Sequence, residues 1–193
     1  MFHTLIAIVI AYLIGSLSFS IILSKISGNA DPRTEGSQNA GATNTLRTAG
    51  KTAAIIVLLG DMAKGFIAVL IGKFLGCYGF SLGLVALAAV VGHIFPAYFG
   101  FKGGKGVATA IGAILGLSFL LFLVAVITFI IVAVITRYAS LASLAAMLLT
   151  SALALLFAAH YFIPIILMLV LILYKHLPNL ERLKNSEENK IRL

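Results

Sequence analysis

The stretch that decides the fold is residues 106–136, GVATAIGAILGLSFLLFLVAVITFIIVAVIT, which contains no charged side chain. As a single helix these 31 residues would be about 46 Å long, too long for one crossing of a bilayer core and short for two. Gly112 and Gly116 weaken the first half of such a helix, and a Gly-Leu-Ser step follows. We therefore predict a short helix that ends near Leu117 and a longer one that begins near Ser118.

The composition of the whole chain is typical of a membrane protein. Hydrophobic residues make up 61% of the 193 residues and charged residues 10%, whereas soluble domains are about half apolar and a quarter charged. A soluble fold of this size cannot hide that much apolar surface, so the excess faces lipid. Cys77 is the one cysteine, and no metal-ligand spacing of His, Cys or Glu occurs, so we expect no metal and no cofactor.

Other apolar stretches supply further crossings, because a helix needs about 20 apolar residues to cross a bilayer. Residues 139–174 fit two crossings, with a break near His160, Tyr161 and Pro164. Three more stretches fit one crossing each: 2–24, 52–76 and 79–96. The sequence therefore predicts an all-α integral membrane protein with about seven transmembrane helices in one domain, residues 1–193.

The basic residues predict the orientation. With seven crossings, twelve of the 14 Lys and Arg residues fall on one side, and only Lys73 lies toward the other. The positive-inside rule then places the N-terminus outside and the C-terminus in the cytoplasm. The net charge of +8 therefore does not indicate nucleic acid, and acidic lipid and phosphorylated substrates are the expected partners. The first span begins at Phe2 without a basic flank or cleavage site, which predicts a retained helix.

A first polar segment, residues 34–47, reads TEGSQNAGATNTLR and is rich in Gly, Ser, Thr and Asn. Such a run offers backbone N–H groups, hydroxyls and amides to an anion, and Arg47 is suited to a bidentate phosphate contact. The alternative is a solvated loop at the membrane surface that contains turn residues and a helix cap.

A second segment, FKGGKGVAT at residues 101–109, opens an apolar helix. A glycine-rich turn before a helix N-terminus is suited to an anion, and Lys102 and Lys105 add charge. It is not a Walker A loop, because Gly106 follows Lys105 where Ser or Thr is required. We expect Gly103 and Gly104 to let the backbone approach a phosphate, so that Gly104→Ala mainly weakens substrate affinity. The alternative is a basic anchor beside the membrane.

A third segment, KHLPNLERL at residues 175–183, follows the last span. His176 and Asn179 would share a face of a helix, although Pro178 favours a turn. His176 is suited to orient a hydroxyl or accept its proton, but a histidine at the membrane edge is more often structural.

Ionisable residues also occur within or at the ends of the spans. Asp61 and Lys64 interrupt the second span at positions three apart, and they form either an intramembrane ion pair that holds helices together or a support beneath the polar site. His93 ends the third span on the same side and is a candidate for the same supporting role.

The three segments together resemble the bacterial acyl-phosphate:glycerol-3-phosphate acyltransferases of the PlsY type. The matching motifs are GSxNxGATNxxR at 36–47, KGGKGVAT at 102–109 and HxxNxxRL at 176–183 with Glu188 downstream. GDxxKG at 60–65 and GHxFP at 92–96 are also similar to the family. Departures are small: Gln38 and Ser186 stand where glycine is frequent, and Leu180 replaces a common isoleucine.

The resemblance implies a reaction of phospholipid biosynthesis. A fatty acyl phosphate would acylate the 1-hydroxyl of glycerol 3-phosphate, giving lysophosphatidic acid and phosphate at the cytoplasmic face of a bacterial inner membrane, with no obligatory protein partner. The implied catalytic residues are Ser37, Arg47, Lys105, His176 and Asn179. The implied substrate-binding residues are Gly36, Asn39, Thr43, Asn44, Lys102, Gly103, Gly104 and Gly106. The implied supporting residues are Asp61, Lys64, His93, Arg182 and Glu188.

Two other functions stay open on the residues alone. A small transporter of a phosphorylated metabolite would need polar side chains through the membrane depth, and beyond Asp61 and Lys64 there are almost none. A non-catalytic lipid-binding or assembly subunit is the second. Within the enzyme hypothesis the base is either His176 or an oxygen of a substrate phosphate, and Ser37 is a hydrogen-bonding residue rather than a nucleophile.

Overall fold

A computed structural model describes residues 2–191, which form eight α-helices and two short 3-10 turns. The 3-10 turns span Ala97–Phe99 and Ala159–Tyr161. The α-helices are α1 (Phe2–Gly15), α2 (Phe19–Ile26), α3 (Ala42–Phe74), α4 (Gly79–Ile94), α5 (Val107–Leu117), α6 (Phe119–Thr136), α7 (Ala139–Phe157) and α8 (Phe162–Lys184).

The predicted all-α membrane fold is confirmed at the level of its helices. Within residues 2–191, five helices are long and apolar enough to cross a membrane, and α1 with α2, bent by 41°, makes a sixth candidate span. The remaining apolar helix, α5, has 11 residues and is about 16 Å long, roughly half the thickness of a bilayer core. The exact number of crossings and the orientation of the termini stay predictions.

Both predicted breaks in the long apolar stretches are confirmed. α5 ends at Leu117, and the Ser118 hydroxyl accepts a hydrogen bond from the Leu121 N–H at 3.4 Å, which caps α6. The second break lies between the end of α7 at Phe157 and the start of α8 at Phe162. Hydropathy alone would make each stretch one continuous helix. The first is interrupted by glycine and serine, and the second by a short turn that contains aromatic residues.

The turn predicted at Pro178 is wrong, because α8 continues through this residue to Lys184. A proline inside a helix frees the carbonyl four residues earlier, here that of Tyr174. Tyr174 and Pro178 are both exposed, so the freed carbonyl lies on the outer face of the helix and not in the core. His176 and Asn179 are buried together on the opposite face.

Small residues bring α3 and α5 into backbone contact. A Cβ at Gly65 would collide with the Thr109 carbonyl of α5, and a Cβ at Gly112 would collide with the Met62 carbonyl of α3. This close approach holds the N-terminus of α5 beside the middle of α3.

Candidate active site

A cavity of about 430 Å³ lies between α3, α5, α6, α7 and α8. Most of its polar lining comes from loops and helix ends: Ser37, Asn39, Thr43, Arg47, Lys105, Ser140, His176, Asn179 and Glu188. Asp61 of α3, His93 of α4 and Ser143 of α7 also line it. Its apolar lining comes mainly from the middles of α3 and α6: Leu58, Met62, Phe122, Val126, Phe129 and Ile130. One end of the cavity therefore suits charged groups, and the other suits a hydrocarbon chain.

The first polar segment contributes only some of its predicted residues to this lining. Gly36 and Asn44 do not line the cavity. Asn44 is buried, accepts a hydrogen bond from the Ser37 N–H at 2.8 Å, and donates to the Pro32 and Glu35 carbonyls at 2.8 and 3.0 Å. The Asn44 amide therefore holds the fold of the loop that presents Ser37. Asn44 has this role in place of the substrate contact predicted for it.

Arg47 lies one turn into α3, where its side chain is exposed at the mouth of the cavity. Its guanidinium donates to the Asn189 carbonyl at 3.2 Å. The segment that follows α8 therefore crosses the mouth, and Ile191 N–H continues it by donating to the Arg137 carbonyl at 2.7 Å. This path could not be predicted from the sequence, because each of its two contacts joins residues that are far apart along the chain.

In the glycine loop, residues 102–106, the backbone N–H groups of two glycines are paired within the protein and are not directed at the cavity as predicted. Gly103 N–H donates to the Ile94 carbonyl and Gly104 N–H to the His93 carbonyl, each at 3.2 Å. Neither glycine lines the cavity, and neither does the exposed Lys102. Two residues do reach it, Lys105 and Gly106, and Gly106 has a φ of 89° that favours glycine.

Gly104→Ala is therefore expected to reduce both stability and maximal rate, rather than substrate affinity alone. A Cβ at this position would collide with His93 Nε2 and with the Ala40 carbonyl. Adding atoms to a well-packed site typically lowers the free energy of unfolding by about 1–3 kcal/mol, and here the backbone carbonyl of Ala40 cannot move aside as a flexible side chain would. Thermal unfolding in detergent and steady-state kinetics on the same preparation measure the two effects. A variant of wild-type stability with only a raised KM would contradict this expectation.

A hydrogen-bonded chain joins the second segment to the third. Lys105 Nζ donates to Asn179 Oδ1, and Asn179 Nδ2 donates to Glu188 Oε1 at 2.6 Å. Arg182 Nε donates to Glu188 Oε2 at 2.8 Å. Ser140 of α7 donates to Glu188 Oε1 at 2.9 Å. Four of the predicted residues, Lys105, Asn179, Arg182 and Glu188, are therefore joined in one hydrogen-bonded unit.

Burial and neighbouring groups both shift the pKa values of the ionisable residues in this unit. Burial would raise the pKa of Glu188, but hydrogen bonds from Asn179, Arg182 and Ser140 outweigh it and hold the pKa below its usual range. Burial lowers the pKa of Lys105 to about 8, and the positive charges of Arg182 and Arg47 add to this while Glu188 opposes it. An anion that entered beside Lys105 would offset the cost of that burial.

His176 presents one ring nitrogen to the cavity in a defined state. Its Nδ1 lies 2.8 Å from the Ile172 carbonyl, which can only accept a hydrogen bond. Nδ1 therefore carries the hydrogen of the neutral ring, and Nε2 keeps a lone pair. Since His176 lines the cavity, this lone pair is suited to accept a proton or a hydrogen bond.

Asp61, Lys64 and His93 form a buried cluster, and Asp61 and His93 line the same cavity. Lys64 Nζ lies 2.8 Å from Asp61 Oδ1 and 2.8 Å from His93 Nδ1, and it donates to the Leu17 carbonyl at 2.6 Å. The ion-pair interpretation of Asp61 and Lys64 matches this geometry. The Leu17 carbonyl, at the bend between α1 and α2, is the partner that the sequence did not indicate.

Sequence reasoning also missed Ser140 and Ser143 of α7, which line the cavity. Serine within a membrane helix commonly bonds to the backbone of its own helix, as Ser143 does to the Ala139 carbonyl at 2.7 Å. Their spacing of three residues was the available signal, but such pairs are frequent in small-residue helices.

Comparison with known proteins gives one consistent result. A glycerol-3-phosphate acyltransferase family model matches residues 5–186 of the chain. The glycerol-3-phosphate acyltransferase of Coxiella burnetii is 50% identical over 194 residues, covering 98% of each chain. That of Neisseria meningitidis is 46% identical over 196 residues, covering 96% of each chain.

Solved structures agree with the sequence relatives. A crystal structure of PlsY (YgiH), an integral membrane glycerol 3-phosphate acyltransferase, in its glycerol 3-phosphate form is similar with a TM-score of 0.93 and 36% identity, over 98% of this chain and 96% of that chain. The lysophosphatidic acid form is similar with a TM-score of 0.90 and 35% identity, over 98% and 95% of the two chains.

Proposed function

This chain belongs to the glycerol-3-phosphate acyltransferase family, and from that premise we propose that it moves a fatty acyl group from acyl phosphate to the 1-hydroxyl of glycerol 3-phosphate. The products are lysophosphatidic acid and inorganic phosphate. The protein is an enzyme of phospholipid biosynthesis, and a transporter is not favoured. The proposal treats the whole chain as one domain that needs no cofactor and no protein partner.

The observation that carries this proposal is the two-part lining of the cavity. Acyl phosphate and lysophosphatidic acid each join a phosphate to a long hydrocarbon chain. The cationic end, with Arg47 and Lys105, matches the phosphate, and the apolar end, with Phe122 and Phe129, matches the hydrocarbon. A cavity for a free sugar phosphate would need only the cationic lining, and a cavity for a simple lipid would need only the apolar lining.

The proposed roles follow from position in the cavity. Arg47 and Lys105 hold phosphate groups, and Ser37 and Asn39 hydrogen-bond to the donor without covalent attachment. His176 and Asn179 orient the glycerol hydroxyl. The proton of that hydroxyl passes either to His176 Nε2 or to a phosphate oxygen of the substrate, whose second pKa lies near 6.

The bond changes are those of a single displacement. The hydroxyl oxygen forms the new ester bond with the acyl carbon and loses its proton to the base. The bond between the acyl carbon and the bridging oxygen breaks, and phosphate leaves with the electron pair. Because the donor is a mixed anhydride, positioning and charge neutralisation supply much of the catalysis.

Purified protein with radiolabelled glycerol 3-phosphate tests the function directly. Lysophosphatidic acid should form with acyl phosphate and not with acyl coenzyme A or acyl carrier protein. Formation with acyl coenzyme A alone would replace the proposed donor, and no labelled lipid with any donor would refute the enzymatic function.

The pKa of Lys105 predicts a pH effect on substrate binding. This pKa is lowered to about 8, so the charge is present below that pH and is lost as the pH rises through it. The apparent KM for glycerol 3-phosphate should therefore rise about tenfold between about pH 7 and pH 9. Lys105→Arg, which stays charged over this range, should flatten the profile. A wild-type KM that is constant over the range would contradict the assigned charge.

We place the cationic end of the cavity on the cytoplasmic side of a bacterial inner membrane. The support is the clustering of basic residues on one side of a seven-crossing arrangement. Single cysteines at Lys51, Lys102 and Asn185, in a chain with Cys77 replaced by Ala, should all react with an impermeant reagent from the cytoplasmic side. Reaction of any one of them from the opposite side would overturn this orientation.

A further inference from the structure

Lys64 is held by three acceptors inside the membrane part of the protein. Its Nζ lies 2.6 Å from the Leu17 carbonyl, 2.8 Å from Asp61 Oδ1 and 2.8 Å from His93 Nδ1. An ammonium has three hydrogens and no lone pair, so it donates to the Leu17 carbonyl and to His93 Nδ1 and forms an ion pair with Asp61. The Asp61 carboxylate supplies the opposite charge that a buried ammonium requires.

This arrangement determines where His93 carries its hydrogen. Because Nδ1 accepts from Lys64, the hydrogen of the neutral ring lies on Nε2. A doubly protonated ring would direct an N–H at the ammonium, which is unfavourable. His176, in the same cavity, has the reverse arrangement, with Nδ1 directed to the Ile172 carbonyl. The cavity therefore contains one histidine that donates and one that accepts.

The donor nitrogen lies next to the residue that precedes Lys105. A Cβ placed on Gly104 would collide with His93 Nε2, and His93 itself lines the cavity. Among residues 2–191, the recorded polar contacts of the His93 ring all involve Nδ1. Within this described part of the chain Nε2–H makes no hydrogen bond, so it is available to a group bound in the cavity that His93 lines.

The position suits a particular oxygen of the acyl donor. In an acyl phosphate a single bridging oxygen separates the carbonyl carbon from phosphorus. A donor whose phosphate is held at Lys105 and whose chain runs toward α6 therefore brings its carbonyl to the boundary between the two parts of the cavity, beside His93.

Resting on the proposed function, we propose that His93 Nε2–H donates a hydrogen bond to the carbonyl oxygen of the acyl donor. This oxygen becomes negative when the glycerol hydroxyl attacks the acyl carbon, and returns to a carbonyl when phosphate leaves. Lys64 is a positioning residue, because its hydrogen bond fixes the tautomer that makes His93 a donor.

Two substitutions of His93 separate the functions of its two nitrogens. Glutamine places an amide N–H near the position of Nε2 but loses the contact with Lys64. Asparagine places an amide oxygen near the position of Nδ1, keeps that contact, and loses the donor. His93→Asn should lower kcat by about 10²–10³-fold, as expected for loss of one oxyanion donor, and His93→Gln by no more than about tenfold.

The order of the two variants decides between catalysis and structure. If His93 merely holds Lys64, His93→Asn will be the more active variant, and the proposal is overturned. An alkyl phosphate, which has no carbonyl, should inhibit wild type and His93→Asn equally. A marked loss of inhibition in His93→Asn would assign the N–H to the phosphate and refute the carbonyl contact.

The tautomer has a readout that needs no turnover. In the ¹⁵N NMR spectrum of wild-type protein, His93 Nε2 should carry the hydrogen and Nδ1 should not, and Lys64→Met should alter this. A hydrogen on Nδ1 in wild type would overturn the proposal even if both variants fail to fold. Absence of acyl transfer by wild type would instead refute the proposed function and leave the tautomer measurement intact.

Discussion

Lys105→Gln should lower kcat/KM for acyl transfer by about 10²–10³-fold, the usual effect of removing one preorganised donor from a reacting anionic group. Glutamine fills much of the same volume but cannot offer a charge to phosphate. It also meets Asn179 as a neutral amide, so the hydrogen-bonded chain to Glu188 weakens. Steady-state kinetics with both substrates varied in turn measures the effect.

Lys102→Gln is the matched control, since this lysine belongs to the same glycine-rich segment but is exposed and lies outside the cavity lining. We expect it to change kcat/KM by less than about threefold, as for other surface charges. Equal losses in the two variants would mean that the segment attracts substrate by its general charge, and that Lys105 has no special position.

His176→Ala should lower kcat by about 10²–10⁴-fold if His176 is the general base. Its Nε2 lone pair faces the cavity because Nδ1 is directed to the Ile172 carbonyl. The exposed His160, in the turn before α8, provides a control whose replacement by alanine should leave the rate within about twofold. Thermal unfolding of both variants separates loss of the base from loss of packing.

A loss of less than about tenfold in a stably folded His176→Ala protein would remove histidine from the role of base. The substrate phosphate would then be the acceptor of the proton. In that case the pH at which kcat changes should match the second pKa of the substrate phosphate. Replacing the phosphate by a group with a different pKa should shift this pH.

The ends of the apolar helices were predictable where hydropathy and helix-breaking residues agree. The glycines and Ser118 divide residues 106–136 at the place where α5 ends. Pro178 misled the prediction, because a proline is tolerated in a helix whose freed carbonyl lies on an exposed face. Exposure depends on the neighbours of α8, which the local sequence does not specify.

Several side chains that line the cavity were predictable from the sequence, and the contacts that support them were not. Arg47, Lys105, His176 and Asn179 line it, as their charge, hydrogen-bonding groups and family resemblance suggested. The glycine loop misled the prediction because its N–H groups donate to the end of α4. Such pairing, like the contact of Glu188 with Ser140, joins segments far apart in the sequence and follows from tertiary packing.

Synthesis of the chain proceeds from α1 toward α8, and the wall of the cavity is completed last. Asn179 lies near the end of α8, and Glu188 follows it. A nascent chain that has inserted α1 to α7 into the membrane still lacks the partners of Lys105 and Ser140. Activity therefore begins only when the final helix has been inserted, and a chain that stalls earlier occupies the membrane without consuming its substrates.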